Sequence, residues 1–369
     1  MFRAMKLFHS NVLPQSGHLI RAISRNITTK RKMSSEKPVT IGTHSGIFHC
    51  DEILACFMLR QLPQYANAKI LRSRDEKVLK DCDIVVDVGG QYDKSKNLFD
   101  HHQKSFVHTF SSLRPEYPNY DKVRLSSAGL IYTHFGEEVI REILKKQCDL
   151  TIDNHLLGKI FEKVYQGLIQ EIDGIDNGVP MFDGEPKYRI TSDISSRVGR
   201  FNPDWNATEG VDVQQQFEKA MVIAGEEFLD RVLYYGSVWH PARAIVEEAL
   251  ENRFTIHSSG QILSLDRICP WKDHLFDVEK EKELVGVAKY VLFCSGRDDY
   301  RAIAVPKEPG SFILRKALHK DWQGVRDADL QKICGIEGAV FVHATGFIGG
   351  NKTMQGALEM AIKSLEADE

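Results

Sequence analysis

An α/β protein of two domains, the first built around a mainly parallel sheet flanked by helices, is what the sequence predicts. Three observations carry this. Strand-like and helix-like segments alternate from residue 39 to 146, the signature of parallel strands joined by crossover helices. Asp83-Ile84-Val85-Val86-Asp87-Val88 is a continuous β-branched run stopped by Gly89-Gly90, which suits a strand buried on both faces. Beyond residue 241 the pattern changes to short strands and a final helix, implying a second, smaller α/β domain.

In chain order, Val39-Thr40-Ile41 predicts the first strand, followed by a glycine-bearing loop and a helix over 51–62 with apolar residues at 53, 54, 57 and 58 on one face. Strands are expected at 69–73, 83–88 and 97–100. A helix over 126–146 opens on a Ser N-cap, and a helical period over 156–175 runs into Asp173-Gly174-Ile175-Asp176-Asn177-Gly178. Residues 179–206, rich in Gly, Pro, Asp and Ser, read as a connector, and 213–235 as another helix. A boundary is placed at 236–241, then strands at 291–294, 301–305 and 339–343 with loops between them, and a helix over 353–365. The expected domains are 37–190, which is to carry the metals, a connector with its helix at 191–240, and a substrate-binding domain at 241–369. There is no internal repeat.

Length and composition agree with this layout. The 369 residues are 42% apolar and 27% charged, ordinary globular values. Past the N-terminus no stretch reaches the roughly 18 apolar residues of a membrane span, so no membrane partner is expected. At a net charge of −3, any nucleic acid must be held by a local basic groove rather than by a globally positive surface. Seven cysteines without a CxxC pair fit a reducing compartment. Cys50, although beside proposed ligands, reads as a small packed side chain. The first 35 residues hold seven Lys or Arg and no Asp or Glu among Phe, Leu, Ile, Ser and Thr, which is transit-peptide chemistry, so residues 1–36 are expected to direct the chain to the mitochondrial matrix. A product started at Met33 lacks that segment, and Lys30-Arg31-Lys32 offers a nuclear or nucleolar address.

The chemistry lies in clusters that a parallel sheet presents together at the carboxyl ends of its strands, where open α/β sheets bind ligands. His44-Ser45-Gly46-Ile47-Phe48-His49-Cys50-Asp51-Glu52 follows the first strand, Asp87 ends the β-branched run, Asp100-His101-His102 follows the next strand, and Asp173 and Asp176 close a helix. Singly, such a His is usually a structural hydrogen-bonding group and Asp before Gly a turn former. Together, the candidate ligands His44, His49, Asp51, Asp87, His101, Asp173 and Asp176 supply nitrogen and oxygen without sulfur for two ions, Mn²⁺ first, with Mg²⁺ and Zn²⁺ as competitors. A carboxylate is needed between two cations, and Asp87 is the candidate. That chemistry serves hydrolysis of a phosphoester.

Val86-Asp87 after a strand and Asp100-His101-His102 resemble the DHH phosphoesterase superfamily of RecJ-type nucleases, oligoribonucleases and type II pyrophosphatases. More specifically, Gly42 to Glu52, Val86 to Gly90, Ser126 to Tyr132 and Phe341 to Gly350 resemble the eukaryotic melanocyte-proliferating-gene-one exonuclease family over residues 40–360. The resemblance implies a DHH-type fold, 3′ to 5′ exonuclease activity on RNA, and mitochondrial and nuclear pools. It implies one metal on His44, His49 and Asp87, another on Asp51, Asp87, His101 and a helix-end Asp, with His102 facing the phosphate. Asp87, His102 and Asp100 are then the catalytic candidates. His49 stands where most of the superfamily has an aspartate. His343, Gly346, Gly349 and Gly350 resemble a glycine-rich substrate loop whose bare backbone can approach phosphates, and His343 and Lys352 flank the glycines as cations for an anionic substrate. Phe106, Phe110, Tyr117 and Tyr120 are the aromatics considered for stacking bases of single-stranded RNA. A small-phosphate hydrolase uses the same metals and stays open as the alternative; a scaffold without turnover would be expected to have lost a ligand. Oligomeric state is not written in the sequence.

Overall fold

The computed structural model describes residues 37–207 and 210–367. The targeting segment expected over 1–36 lies outside the described residues.

The first sheet is assembled from β1 (Thr40–Thr43), α1 (Cys50–Gln61), β2 (Lys69–Arg72), α2 (Glu76–Lys80), β3 (Ile84–Val86), β4 (Tyr92–Asp93) and β5 (Leu98–Phe99). Its order is β2-β1-β3-β5-β4, with the first four strands parallel and only β4 antiparallel. β4 was not foreseen. At two residues, it is too short to show a period. Ile41, Ile84, Val85 and Val86 are all buried, as a strand covered on both faces requires.

Helices α3 (Phe110–Leu113), α4 (Ser127–Cys148), α5 (Asn154–Val164) and α6 (Gln170–Asp176) follow, with a π-helical turn at Tyr165–Ile169 joining the last two. Then come α7 (Ile194–Gly199), inside the expected connector, and α8 (Val213–Tyr234). One core of buried side chains runs from Ile41 to Val232 across the sheet and these helices. Cys50 belongs to it, and burial pushes its thiol up, so a packed thiol rather than a thiolate sits there. Phe106, Phe110 and Tyr120 belong to it too, with Phe110 stacked on Tyr165 at 3.7 Å between ring centroids. They are packing residues, closed to a base.

At residues 236–241 the chain does not loosen. A second π-turn, Tyr235–Trp239, carries α8 directly into α9 (His240–Glu251), and Pro241, inside this continuous run, lacks the N–H that a carbonyl of the preceding turn would otherwise receive. Then follow α10 (Arg253–Ile256), β6 (Ile262–Ser264), α11 (Lys272–Glu281), β7 (Tyr290–Gly296), β8 (Asp299–Ala304), α12 (Asp327–Cys334), β9 (Ala339–Val342), β10 (Ile348–Asn351) and α13 (Met354–Glu366). The second sheet has the order β6-β7-β8-β10-β9 and is antiparallel except for β6 with β7. Separate apolar clusters, one including Met360 and Trp322 and the other Leu275 and Val291, line the sheet. The helices α9, α11 and α12 occupy stretches that read as loops, because their apolar stripes are narrow among many charges. No helix of the described residues is long and apolar enough to cross a membrane.

Candidate metal centre

The carboxyl ends of β1, β3 and β5, the start of α1, the start of α4 and the end of α6 converge. The loop after β1 is held from both sides: Asn202 bonds Phe48 N and O at 3.0 and 2.8 Å, and Arg72 donates to Gly46 O at 2.6 Å. His44 projects from this loop, while His49 caps α1 and places Asp51 and Glu52 in its first turn. That turn is where the helix dipole favours carboxylates. Asp87, just past β3, adopts φ 58°, a left-handed conformation that costs a non-glycine residue energy and aims its carboxylate inward.

The distances define the centre. Asp87 Oδ2 lies 3.3 Å from His44 Nε2, and Asp87 Oδ1 lies 3.5 Å from His101 Nε2. His44 Nε2 also meets Glu52 Oε1 at 2.9 Å, and His101 Nε2 meets Asp176 Oδ2 at 3.1 Å and Asp51 Oδ2 at 3.9 Å. Three donor groups have ligand atoms within 4.8 Å of one another: His44, His49, Glu52 and Asp87; Asp87, His101 and His102; His49, Asp51 and Asp176. His44 Nδ1 is 3.3 Å from both Ser45 O and the Arg74 guanidinium, so its second nitrogen faces polar groups away from the centre.

Asp173 and Asp176 separate cleanly. Asp173 is fully buried, and its carboxylate accepts from Ser126 N (2.9 Å), Ser126 Oγ (2.7 Å) and the Tyr165 hydroxyl (3.1 Å). It anchors the start of α4 and joins none of the donor groups, so the candidate ligand at this helix end is Asp176. The sequence left the two open because both lie near the end of the same helix; only the paths of α4 and the π-turn distinguish them. A Cβ on Gly129 would overlap the Asp173 carboxylate, which accounts for glycine inside a helix.

Asp100 likewise supports rather than ligates. It accepts from Gly90 N at 2.5 Å and from His102 N and Nδ1 at 3.2 and 2.7 Å, which orients the exposed His102 ring. Two participants were missed. Glu52, wholly buried beside His44, also closes the cap of α1 by accepting from His49 N at 3.0 Å. Ser127, in the first turn of α4, donates its N–H to Asp51 and its hydroxyl to Asp87. Nothing in its spacing singles it out.

The electrostatics fit a cation. Asp51, Glu52, Asp87, Asp100 and Asp173 are buried, against two buried imidazoles here, His44 and His101. Burial depresses the affinity of His44 for a proton, but Asp87 and Glu52 overturn that and lift its pKa to about 10. His101, buried likewise, is lifted to about 10 by Asp176 and Asp87. Burial and then the charges of Asp87, Asp176 and Glu52 push Asp51 well above the carboxylate range, whereas the two imidazoles hold Asp87 below it despite burial. Burial also raises Asp173, to about 7. Asp51 Oδ1 is buried without a hydrogen-bond partner, which such a group rarely tolerates without a further ligand. Divalent cations would replace the protons that now keep this excess of carboxylates together.

The glycine-rich segment is placed differently from expectation. Gly349 and Gly350 lie in β10, between β8 and β9, rather than in a loop. A Cβ at Gly349 would press on Leu318 and Met360, and one at Gly350 would overlap the Arg301 guanidinium and crowd the Phe341 ring. Both glycines thus leave room for these neighbouring side chains, and they sit on a strand rather than in the loop that was expected. Gly346, at φ 69°, forms the turn into β10, and His343 and Lys352 are exposed beside the strand ends.

The family model MYG1_exonuc, described as an uncharacterised protein family (UPF0160), matches residues 40–365. The chain is 49% identical to the MYG1 protein of Dictyostelium discoideum over 89% of this chain and 96% of that one. It is 44% identical to the MYG1 exonuclease of Bos taurus over 95% of this chain and 91% of the relative, and 46% identical to that of Homo sapiens over 89% and 86%. Among solved structures, the exonuclease RecJ bound to manganese aligns over 89% of this chain and 91% of that one, at 10% identity and a TM-score of 0.21, too loosely to bear on the fold or the metal. The match along nearly the whole described chain, and the close relatives, establish that this chain belongs to the MYG1 exonuclease family.

Proposed function

We propose that the chain is a divalent-metal-dependent phosphodiesterase that removes nucleotides from the 3′ end of single-stranded RNA, in RNA processing. The observation that carries this is Asp87, whose two carboxylate oxygens face different histidines and which belongs to two donor groups at once. The names of the relatives, exonuclease among them, favour a nucleic-acid substrate over a small phosphate compound.

In this reading His44, His49, Glu52 and Asp87 hold one ion, and Asp51, Asp87, His101 and Asp176 hold another, with Mn²⁺ favoured over Mg²⁺ and Zn²⁺ for a set of imidazoles and carboxylates. When bound, such ions acidify water and neutralise phosphate charge. The protein's own groups do the rest. Ser127 steadies Asp51 and Asp87, and the N-terminus of α4 adds positive potential beside them. His102 has its Nδ1 engaged by Asp100, which raises its pKa, so a protonated ring is available to a phosphate oxygen or to the departing 3′ oxygen. His343 and Lys352 are the remaining candidates for contacts with the substrate.

Purified chain with Mn²⁺ or Mg²⁺ is to be offered 5′-end-labelled RNA and DNA, a dinucleotide and pyrophosphate. A descending ladder from RNA is expected. Hydrolysis confined to pyrophosphate or to dinucleotides would make the chain a small-phosphate hydrolase. Residues 1–35 are proposed to direct mitochondrial import, while a product started at Met33 stays outside mitochondria and Lys30-Arg31-Lys32 offers a nuclear address to a chain that keeps it. A reporter fused to residues 1–35 that stays in the cytosol would remove that proposal.

A further inference from the structure

We infer that a basic groove in the C-terminal half of the chain grips the phosphodiester backbone of a single strand away from its reacting end. The inference rests on the exonuclease reading above and deepens it. The groove encloses about 490 Å³ between the segment after β8, the turn before β10 and the end of α13. Lys307, Arg315, Lys316, His319 and Lys320 line it, and no carboxylate does among the described residues.

These cations are not equivalent. Arg315 is committed to Glu279, at 2.8 and 2.7 Å, in a buried pair, and contributes little field. The Lys316 ammonium is pinned by the carbonyls of Leu365 and Ala367, both at 2.9 Å, so it is fixed in place yet keeps its charge. Lys307 and Lys320 are exposed and make no ion pair among the described residues. Three ammonium groups thus face one groove with no carboxylate in its lining among the described residues, on a chain whose net charge is −3. Placing like charges together is unfavourable unless an anion is received there.

The lining also includes Phe312, which is 98% exposed at the tip of the loop that Lys307 and Arg315 flank. The loop is not slack: Lys307 N donates to Ile313 O at 2.7 Å and Arg315 N to Val305 O at 2.8 Å. An aromatic ring held out to solvent beside spaced ammonium groups is the arrangement that binds single strands, with phosphates on the cations and a base on the ring, without regard to sequence. The groove does not include the metal-centre residues, so it acts on strand affinity and on the length of strand held.

The test uses the full chain with Lys307→Glu and Lys320→Glu together, and separately Phe312→Ala, all exposed positions where folding is not at stake. Binding of a single-stranded RNA of about 16 nucleotides, the long end of such footprints, is followed by fluorescence anisotropy against salt. Cleavage of that RNA and of a dinucleotide is followed with Mn²⁺. The double variant should weaken 16-mer binding and raise its KM roughly tenfold, and reduce the slope of log affinity on log salt by about 1.4, two contacts at ~0.7 each. Its kcat, and its activity on the dinucleotide, should stay as in the wild type. Phe312→Ala should weaken binding with little change in slope. An unchanged KM and slope in the double variant would overturn the groove, as would inorganic phosphate displacing the RNA at equal phosphate concentration, which would make it a small-anion site. If wild type binds the 16-mer through these lysines but cleaves no nucleic acid, the groove stands and the exonuclease reading falls.

Discussion

Glu52 Oε1 stands 2.9 Å from His44 Nε2, and both side chains are buried. Glu52 also closes the cap of α1 through His49 N, so one carboxylate fastens two of the candidate ligands. Glu52→Ala should therefore lower the stability of the metal-free chain by on the order of 3 kcal/mol, the usual cost of breaking a buried pair from one side. It should also weaken metal binding. Denaturant unfolding in chelator measures the first effect and calorimetric titration with Mn²⁺ the second. Unchanged stability would mean that Glu52 is a bystander.

Asp173 and Asp176 should respond in opposite ways. Asp176→Asn removes a candidate ligand and should weaken metal binding about tenfold, while the metal-free chain stays folded at a modest loss of stability, since the pair with His101 is lost as crowding among the carboxylates is relieved. Asp173→Asn should keep its metals and unfold more easily, since the anchor of α4 is altered. The reverse pattern, metal lost with Asp173 and kept with Asp176, would contradict the placement of α6.

Much of this centre was legible because its parts are local in sequence. The loop from His44 to Asp51, Asp87 at a strand end and His101 beside His102 each announce themselves by residue type and by the strand before them. What escaped depends on tertiary path. Asp173 and Asp176 differ only in which way the end of α6 faces, and Ser127 matters only because α4 starts at the metal centre. The glycines of β10 mimic a loop because a strand that must leave room for Arg301 and for Met360 has no side chains to show a period of two. The run through 236–241 gave a similar signal, since a π-turn breaks the helical period without ending the helix.

Metal binding should strengthen with pH. In the metal-free chain His44 and His101 hold protons up to about pH 10, so their contribution to its stability is full below 6.5 and is lost as pH rises through 10. Asp51, raised as well, works in the same direction. Ligation needs neutral imidazoles, so cations compete with these protons. The rise in Tm on adding Mn²⁺ should be larger at about pH 8.5 than at about pH 6.5. A rise that shrinks over this window would contradict the assignment of these histidines.

Asp87 is the residue on which both proposed metal positions depend. Asp87→Asn keeps the shape and removes the charge that lets two cations approach to about 4 Å, so cleavage should be abolished while the fold persists. The most direct measurement is the number of Mn²⁺ ions per chain in wild type and Asp87→Asn, counted by native mass spectrometry. Two ions in the wild type and one or none in the variant are predicted. Two ions in both would contradict a carboxylate shared between metals.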